Sequence, residues 1–336
     1  MAQFNELQIG LGISKQADIA TISGAFLKVN NLSASPAQRG YVTESDAPEI
    51  GKGHEFATQI FKSHLGGSVG FEKYLSSEIA AFVLGFGLGN CVKTGTTPNW
   101  IYTITPYAPA TNGIELPYTS LVEQIRPGGS AVWDVAYVGM MVKSWMISIA
   151  SGPGRAAAKI KWEMMGSGLY TEPSAVSLST SPATLHELPA SSLTLTINGV
   201  DYVTSKNIVS LDMGWDSGVR NTGYYPGSGA QDGFQSQGRI EFGDRVPSFS
   251  FVARYNNGSA ELTKLKALTT GTAVAVLSAS ANDMATLTWQ KLAFVVAELG
   301  DSDGIVTVKV TTIPMYDSTN GVFSAVVKCT TNGICQ

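Results

Sequence analysis

Apolar and polar residues alternate with a period of two along most of the chain, and that rhythm restricts the fold more than any other feature. It is legible in Phe26-Leu27-Lys28-Val29, in Ser68-Val69-Gly70-Phe71 and in Phe249-Ser250-Phe251-Val252. It returns on both sides of the turn-like SGPGR, as Trp145-Met146-Ile147-Ser148-Ile149 and Ala158-Lys159-Ile160-Lys161-Trp162. Successive side chains of a strand point to opposite faces, so each such segment offers one face to a core and one to water. Leu193-Thr194-Leu195-Thr196-Ile197 and Val200-Asp201-Tyr202-Val203 are separated by Asn198-Gly199 alone. That dipeptide supplies the positive φ angles of a two-residue type I′ turn and predicts a tight hairpin. Phe294-Val295-Val296-Ala297 and Ile305 to Val310 predict another, around GDSDG.

Two segments leave this rhythm. In Ser76 to Leu84 the apolar residues Ile79, Phe82 and Val83 fall at helical spacing after cap-type serines, and Gly85 follows. Ser259 to Leu268 has the same grammar, with Ser259 as the expected cap and Gly271 as the expected stop. Each predicts a short amphipathic helix. The pair exposes a weak internal repeat. Phe71 followed by Ser76-Ser77-Glu78-Ile79 lines up with Phe251 followed by Ser259-Ala260-Glu261-Leu262. Asn31-Leu32-Ser33 matches Ile208-Val209-Ser210. Lys143-Ser144-Trp145-Met146 matches Lys291-Leu292-Ala293-Phe294, and Lys159-Ile160-Lys161 matches Val308-Lys309-Val310. The offset shortens downstream because the first half carries a longer insertion from Asn90 to Ser130.

These signals predict a mainly β protein of two tandem sandwich-like or barrel-like domains, each with one short flanking helix and one long inter-strand loop. Residues 1–170 form the first domain and 190–336 the second. The Ser-, Thr- and Pro-rich stretch 171–189 is the expected linker, because Pro173, Pro182 and Pro189 break regular pairing. Charged residues are only 14% of the chain, against about 25% in ordinary soluble domains. A folded protein with so little charge points to a surface covered by something else, and copies of itself are the simplest candidate. A net charge of −4 gives no basic footprint for gripping nucleic acid. The start MAQFNELQIG lacks a secretory pattern, no stretch has membrane-span length, and three cysteines (Cys91, Cys329, Cys335) fit a reducing cytoplasm. Cys329 and Cys335 are close enough in sequence to pair under oxidation, but free thiols are the expected state.

Chemical motifs are sparse. Gly66-Gly67-Ser68-Val69-Gly70 matches the nucleophile elbow of hydrolases, with Asp134 and His186 following in the right order. An elbow needs a helix leaving directly after the serine, whereas Ser68 lies within strand alternation. Gly85-Phe86-Gly87-Leu88-Gly89 closes a helix, whereas a dinucleotide fingerprint opens one, so a glycine cap is the expected role. His54, His64 and His186 have no metal-ligand spacing with the cysteines and are read as surface or interface residues. No catalytic, cofactor-binding or metal-binding residue is expected. Asn31-Leu32-Ser33 and Asn257-Gly258-Ser259 match glycosylation sequons without a secretory context.

The long loops are more informative. Gly214 to Gly238 is glycine-rich and nearly uncharged, yet it holds Trp215, Tyr224, Tyr225 and Phe234. Ser35 to Gly53 occupies the corresponding place in the first half. Structureless loops of this length are uncommon and usually functional or disordered, and aromatics argue against disorder. A loop that cannot bury aromatics at home can bury them on a neighbour. Tyr41, Glu44, Trp215, Arg220, Tyr224, Tyr225 and Phe234 are therefore the expected inter-subunit contacts.

The order and spacing of "IGLGISKQADI", "HLGGSVGFEKYLSSEIAAFVLGFGLG", "VAYVGMMVKSWMISIASGPGRAAAKIKWEMMGSG" and "DYVTSKNIVSLDMGWDSGVRNTGYY" resemble the tail tube proteins of long-tailed bacteriophages. The resemblance is to the siphophage type in which one chain carries two tube domains in tandem, and it covers about Leu7 to Met315. The chain departs from the family where Gln16-Ala17-Asp18 replaces its Tyr-Gly-Thr opening, and in the length of the Asn90–Ser130 insertion.

The resemblance implies a structural virion protein and not an enzyme. Each domain would be a β-sandwich with a helix on its flank, and sheets of neighbouring copies would join into a barrel around a channel. A tandem protein would form trimeric, pseudo-hexameric rings that stack into a tube for DNA ejection. The implied partners are further copies of the chain, a tape measure protein, the tail tip, the tail terminator, and genomic DNA that passes without specific binding; no membrane and no cofactor are implied. Assembly would take place in the host cytoplasm. The expected wall strands lie near Phe26–Ser33, Glu55–Phe71, Asn207–Asp212 and Arg239–Val252. Glu44, Asp46, Glu49, Glu55, Asp212 and Glu241 are the candidate acidic residues of a wall that repels phosphates. The alternatives are an inner tube protein of a contractile tail, an esterase using Ser68, and a carbohydrate-binding module with Trp100, Trp133 or Trp215 as its platform.

Overall fold

Strands form where the alternation lies, and in a computed structural model they are longer than the local signals. The structure describes residues 7–29, 42–45, 60–64, 67–107, 116–125, 133–150, 157–178, 183–204, 208–221, 223, 240–241, 243–255, 265, 267–302 and 304–336. The first half holds β1 (Leu7–Gly12), β2 (Phe26–Val29), β3 (Val42–Ser45), β4 (Ile60–His64), β5 (Gly67–Tyr74) and helix α1 (Ser77–Leu88). It continues with β6 (Gly89–Thr96), β7 (Asn99–Pro106), β8 (Thr119–Ile125), β9 (Trp133–Ala150), β10 (Lys159–Gly166) and β11 (Tyr170–Thr171). The second half holds β12 (Thr194–Ile197), β13 (Val200–Asp201), β14 (Ile208–Asp216), β15 (Arg220–Asn221), β16 (Ile240–Glu241) and β17 (Val246–Arg254). It ends with β18 (Thr270–Ser280), β19 (Asp283–Ser302), β20 (Ile305–Pro314) and β21 (Phe323–Cys329).

The fold is mainly β; among the described residues it is built on a large antiparallel sheet of 17 strands, with β3–β4 and β15–β16 as separate ribbons. The β12–β13 hairpin turns at Asn198 and Gly199 with φ of 53° and 77°, as its dipeptide demands. In the first half the pairing order is β1·β8·β9·β10·β5. In the second it is β12·β18·β19·β20·β17. Between them β14 pairs with β17 on one side and with Ser144–Ala150 of β9 on the other. The ladder therefore runs unbroken as β5·β10·β9·β14·β17·β20·β19. The Asn90–Ser130 insertion contains the β6–β7 hairpin and β8, and β7 pairs with β21.

The core is shared by both halves. One cluster of buried side chains extends from Ile9 through Trp145, Trp215 and Trp289 to Cys335. The described parts of 171–189 are laced to the first half. Leu188 is fully buried, its N–H donates to Leu75 O at 2.8 Å, and the Ala183 N–H donates to Lys28 O at 3.0 Å.

Helix α1 starts where expected, with Ser76 Oγ accepting from the Ile79 N–H at 3.2 Å. Its other properties differ from an amphipathic flank. Every residue from Ser77 to Leu88 is buried, and the helix packs against β9, β21, β7, β6 and β19. It does not stop at Gly85 but runs to a cap at Gly89, whose φ is 94°. Gly85 and Gly87 are close-approach positions: a Cβ on Gly85 would lie 2.9 Å from Cys335 Cβ, and one on Gly87 would lie 3.0 Å from Trp145 Cδ1. The second expected helix lies mostly outside the described residues. Leu265 is helical, Leu268 leaves the turn with φ of 48°, and Gly271 already belongs to β18, so Gly271 is not the stop.

Candidate assembly surface

Alternation places small and polar side chains on the open face of the continuous ladder. One cross-strand row reads Tyr74, Lys159, Ser148, Asp212, Ser250, Thr311 and Val296, from β5 to β19. The next residue along each strand faces the core, and Phe71, Trp162, Trp145 and Trp215 form the row behind. Where Gly70 and Gly214 omit side chains, this face has a shallow depression of about 610 Å³ over the tryptophan edges. Charges on the face are mixed, and some of them are paired. Glu72 bonds Lys159 and Lys161, each at 3.2 Å, and Lys143 bonds Glu163 at 3.2 Å. The two lysines hold the Glu72 carboxyl below its ordinary range. Such exposed pairs contribute at most about 1 kcal/mol each.

Several sheet edges carry no ladder partner among the described residues, the outer sides of β2, β6 and β13 among them, and two of them bound the continuous ladder. One is the side of β5 away from β10. The other is the side of β19 away from β20 beyond Ala293. Apolar residues stand exposed nearby: Leu299, Ile305 and Val306 at the tip of the β19–β20 hairpin, and Ile313, Met315 and Tyr316 at its other end.

The base of the aromatic loop is built into the chain itself. Trp215 is a β14 residue, 4% exposed, with its ring 6.4 Å from Trp289 and 6.3 Å from Phe323. It is neither a loop anchor for a neighbour nor a sugar platform; the alternation of β14 carries it into the core. Ser217 donates from its N–H to Lys143 O and from its hydroxyl to Gly87 O, both at 2.8 Å. Val219 and Ile240 pack with Tyr107, Leu116 and Met141 of the first half. Arg220 of β15 is exposed and stands opposite Glu241 of β16. Arg245 donates to Tyr107 O at 2.6 Å and lies 5.6 Å over its ring. Asp212 lies half-exposed on the open face, between Ser148 and Ser250. Glu44 belongs to the β3–β4 ribbon, opposite Phe61. Tyr41, Asp46, Glu49, Glu55, Tyr224, Tyr225, Phe234 and His54 lie outside the described residues. Trp100 is half-buried beneath Lys93, whose Nζ is 5.0 Å from the ring centroid.

The structure does not gather Ser68, Asp134 and His186 into a triad. Ser68 is exposed on β5 opposite Met165. Asp134 bonds Gln124 and Ser174. His186 Nδ1 instead meets Glu78 Oε1 at 2.7 Å and Asp283 Oδ1 at 3.3 Å. The Glu78 bond holds the imidazole above its ordinary range, against partial burial. Sequence reasoning treats His186 as a bland surface residue because Glu78 and Asp283 are far from it along the chain. The three cysteines are free thiols, and the sulfur beside Cys335 is that of Cys91, not Cys329. Among the described residues no helix is long and apolar enough to cross a membrane. No protein-family model matches the chain, and no curated protein matches it.

Proposed function

We propose that the chain is a structural subunit of a phage tail tube of the siphophage type, carrying two tube domains in tandem. Copies close edge to edge into trimeric rings of six pseudo-equivalent domains, and the rings stack into a channel for DNA ejection. One observation carries the reading. The pairing order repeats, its two instances are joined by the β9–β14 ladder, and β5 and the end of β19 are left open. Open edges associate indiscriminately unless something covers them, and closing a sheet into a ring removes them. The β9–β14 join inside the chain is the template for the joins between copies. A strand of a second copy would fill the place beside β19 that β14 fills beside β9.

The remaining roles follow. The serine-rich open face, with its lysines at Lys143, Lys159 and Lys161 held by carboxylates, is the channel wall along which DNA slides without counterion-release binding. The exposed apolar residues at both ends of the β19–β20 hairpin are the stacking contacts between rings. The tape measure protein, tail tip and terminator are the other partners, the assembled protein resides in the virion tail, and it has no catalytic role. The reading is tested by negative-stain electron microscopy of the purified chain, concentrated and aged. Hollow filaments of uniform width, with three- or six-fold end views, are expected. A solution that stays monomeric at every concentration would count against it.

A further inference from the structure

Outside the ladder face, one cluster combines ligand-type atoms with burial. Glu78, His186 and Asp283 each offer one ligand atom, and these atoms all lie within 4.8 Å of one another. Glu78 is fully buried and Asp283 is 5% exposed, whereas the His186 side chain keeps 33% exposure. The three come from separate parts of the chain: the first turn of α1, the 183–189 segment and the start of β19. Their other partners are few. The His186 N–H donates to Glu78 Oε2 at 3.1 Å. Ser77 Oγ and Ser280 Oγ donate to Asp283 at 3.3 and 2.7 Å. Among the described residues no lysine or arginine pairs with either carboxylate.

Charge decides what this cluster suits. Both carboxylates converge on one ring nitrogen, and an imidazolium there supplies one positive charge against two buried negative ones. A net charge left on buried carboxylates is costly. A divalent cation with a neutral imidazole balances the charge, and the displaced Nδ1 proton leaves to solvent. The positive end of α1, worth about half a unit charge, does not outweigh two carboxylates. Zinc ligands at about 2.0–2.2 Å in a tetrahedron stand roughly 3.3 Å apart. The Nδ1–Oδ1 distance of 3.3 Å already matches, and the 2.7 Å Nδ1–Oε1 contact opens by a few tenths of an ångström. The imidazole selects zinc-like ions over magnesium and calcium, and solvent reaches the site from the exposed side of His186.

We infer that Glu78, His186 and Asp283 form a zinc-class divalent cation site, completed by water, that clamps the first turn of α1 to β19 and the 183–189 segment. The inference does not depend on the tube reading. Its test uses the full chain stripped with chelator and titrated with zinc chloride by calorimetry, with magnesium chloride as the control. One equivalent of zinc binds and raises the Tm, magnesium does neither, and His186→Gln and Asp283→Asn each weaken zinc binding by about 100-fold or more. X-ray absorption of the zinc-loaded wild-type chain then shows one imidazole and oxygen neighbours without sulfur, a readout that stands even if a variant fails to fold. Absence of zinc binding, equal binding by both folded variants, or sulfur in the coordination shell would each overturn the site.

Discussion

Trp145 of β9 and Trp215 of β14 stand directly opposite each other across the ladder that joins the two halves. Both are buried, and Phe323 lies 5.8 Å from Trp145 and 4.5 Å from Trp289. The aromatic cluster at the join therefore draws on both halves and on β21. Trp215→Ala is expected to cost about 3–5 kcal/mol, the range for truncating a buried aromatic. Trp215→Phe keeps a ring in the gap and costs less. Urea denaturation followed by far-ultraviolet circular dichroism measures both.

Gly85 is expected to resist alanine although it sits inside a helix. Alanine gains about 1 kcal/mol of helix propensity over glycine. Its Cβ would meet Cys335 Cβ at 2.9 Å, and overpacking a tight core costs about 1–3 kcal/mol. The net effect of Gly85→Ala is a loss of up to about 2 kcal/mol. Cys335→Gly removes the opposing Cβ, so the double variant recovers part of that loss in a double-mutant cycle.

Two of the three thiols, Cys329 and Cys335, are expected to be silent in the native protein. Burial pushes the Cys329 thiol up to about 12 and raises Cys335 well above its usual range. The thiolate is the reactive form, and an ordinary cysteine near 8.5 gains it steeply between pH 7 and 9. Labelling of Cys329 and Cys335 by a disulfide reagent should therefore stay slow and nearly flat across that interval. It should become fast, and rise with pH, once urea unfolds the chain.

The strand plan was legible because period two is a local signal: Phe26–Val29, the Asn198-Gly199 hairpin and the Phe294–Val310 hairpin all stand where alternation puts them. The Ser76 cap was equally local. What failed depends on distant partners. Gly85 reads as a helix stop until Cys335 is placed against it. Trp215 reads as loop until β9 and β17 pair with β14 and extend the strand to Asp216. The length of β9 and β19 was hidden because partner strands change along each one. The Glu78–His186–Asp283 cluster has no sequence spacing at all, only a meeting of three segments.

The open edges can be blocked without harming the monomer. A Cβ on Gly70 of β5 meets nothing within 4 Å, and Val296 of β19 is 36% exposed. Lysine on an edge strand is the common natural defence against pairing. Gly70→Lys and Val296→Lys are each expected to leave stability within about 0.5 kcal/mol of the parent. Either one abolishes filaments in the microscope, because a ring needs both edges of every copy.

The most direct measurement is a cryo-electron microscopy map of the assembled particle at a resolution that separates strands. The expected map places the free side of β5 and the Ala297–Ser302 side of β19 each about 4.8 Å from a strand of a neighbouring copy, in one continuous barrel. A map in which copies assemble while both edges face solvent would contradict edge-to-edge closure.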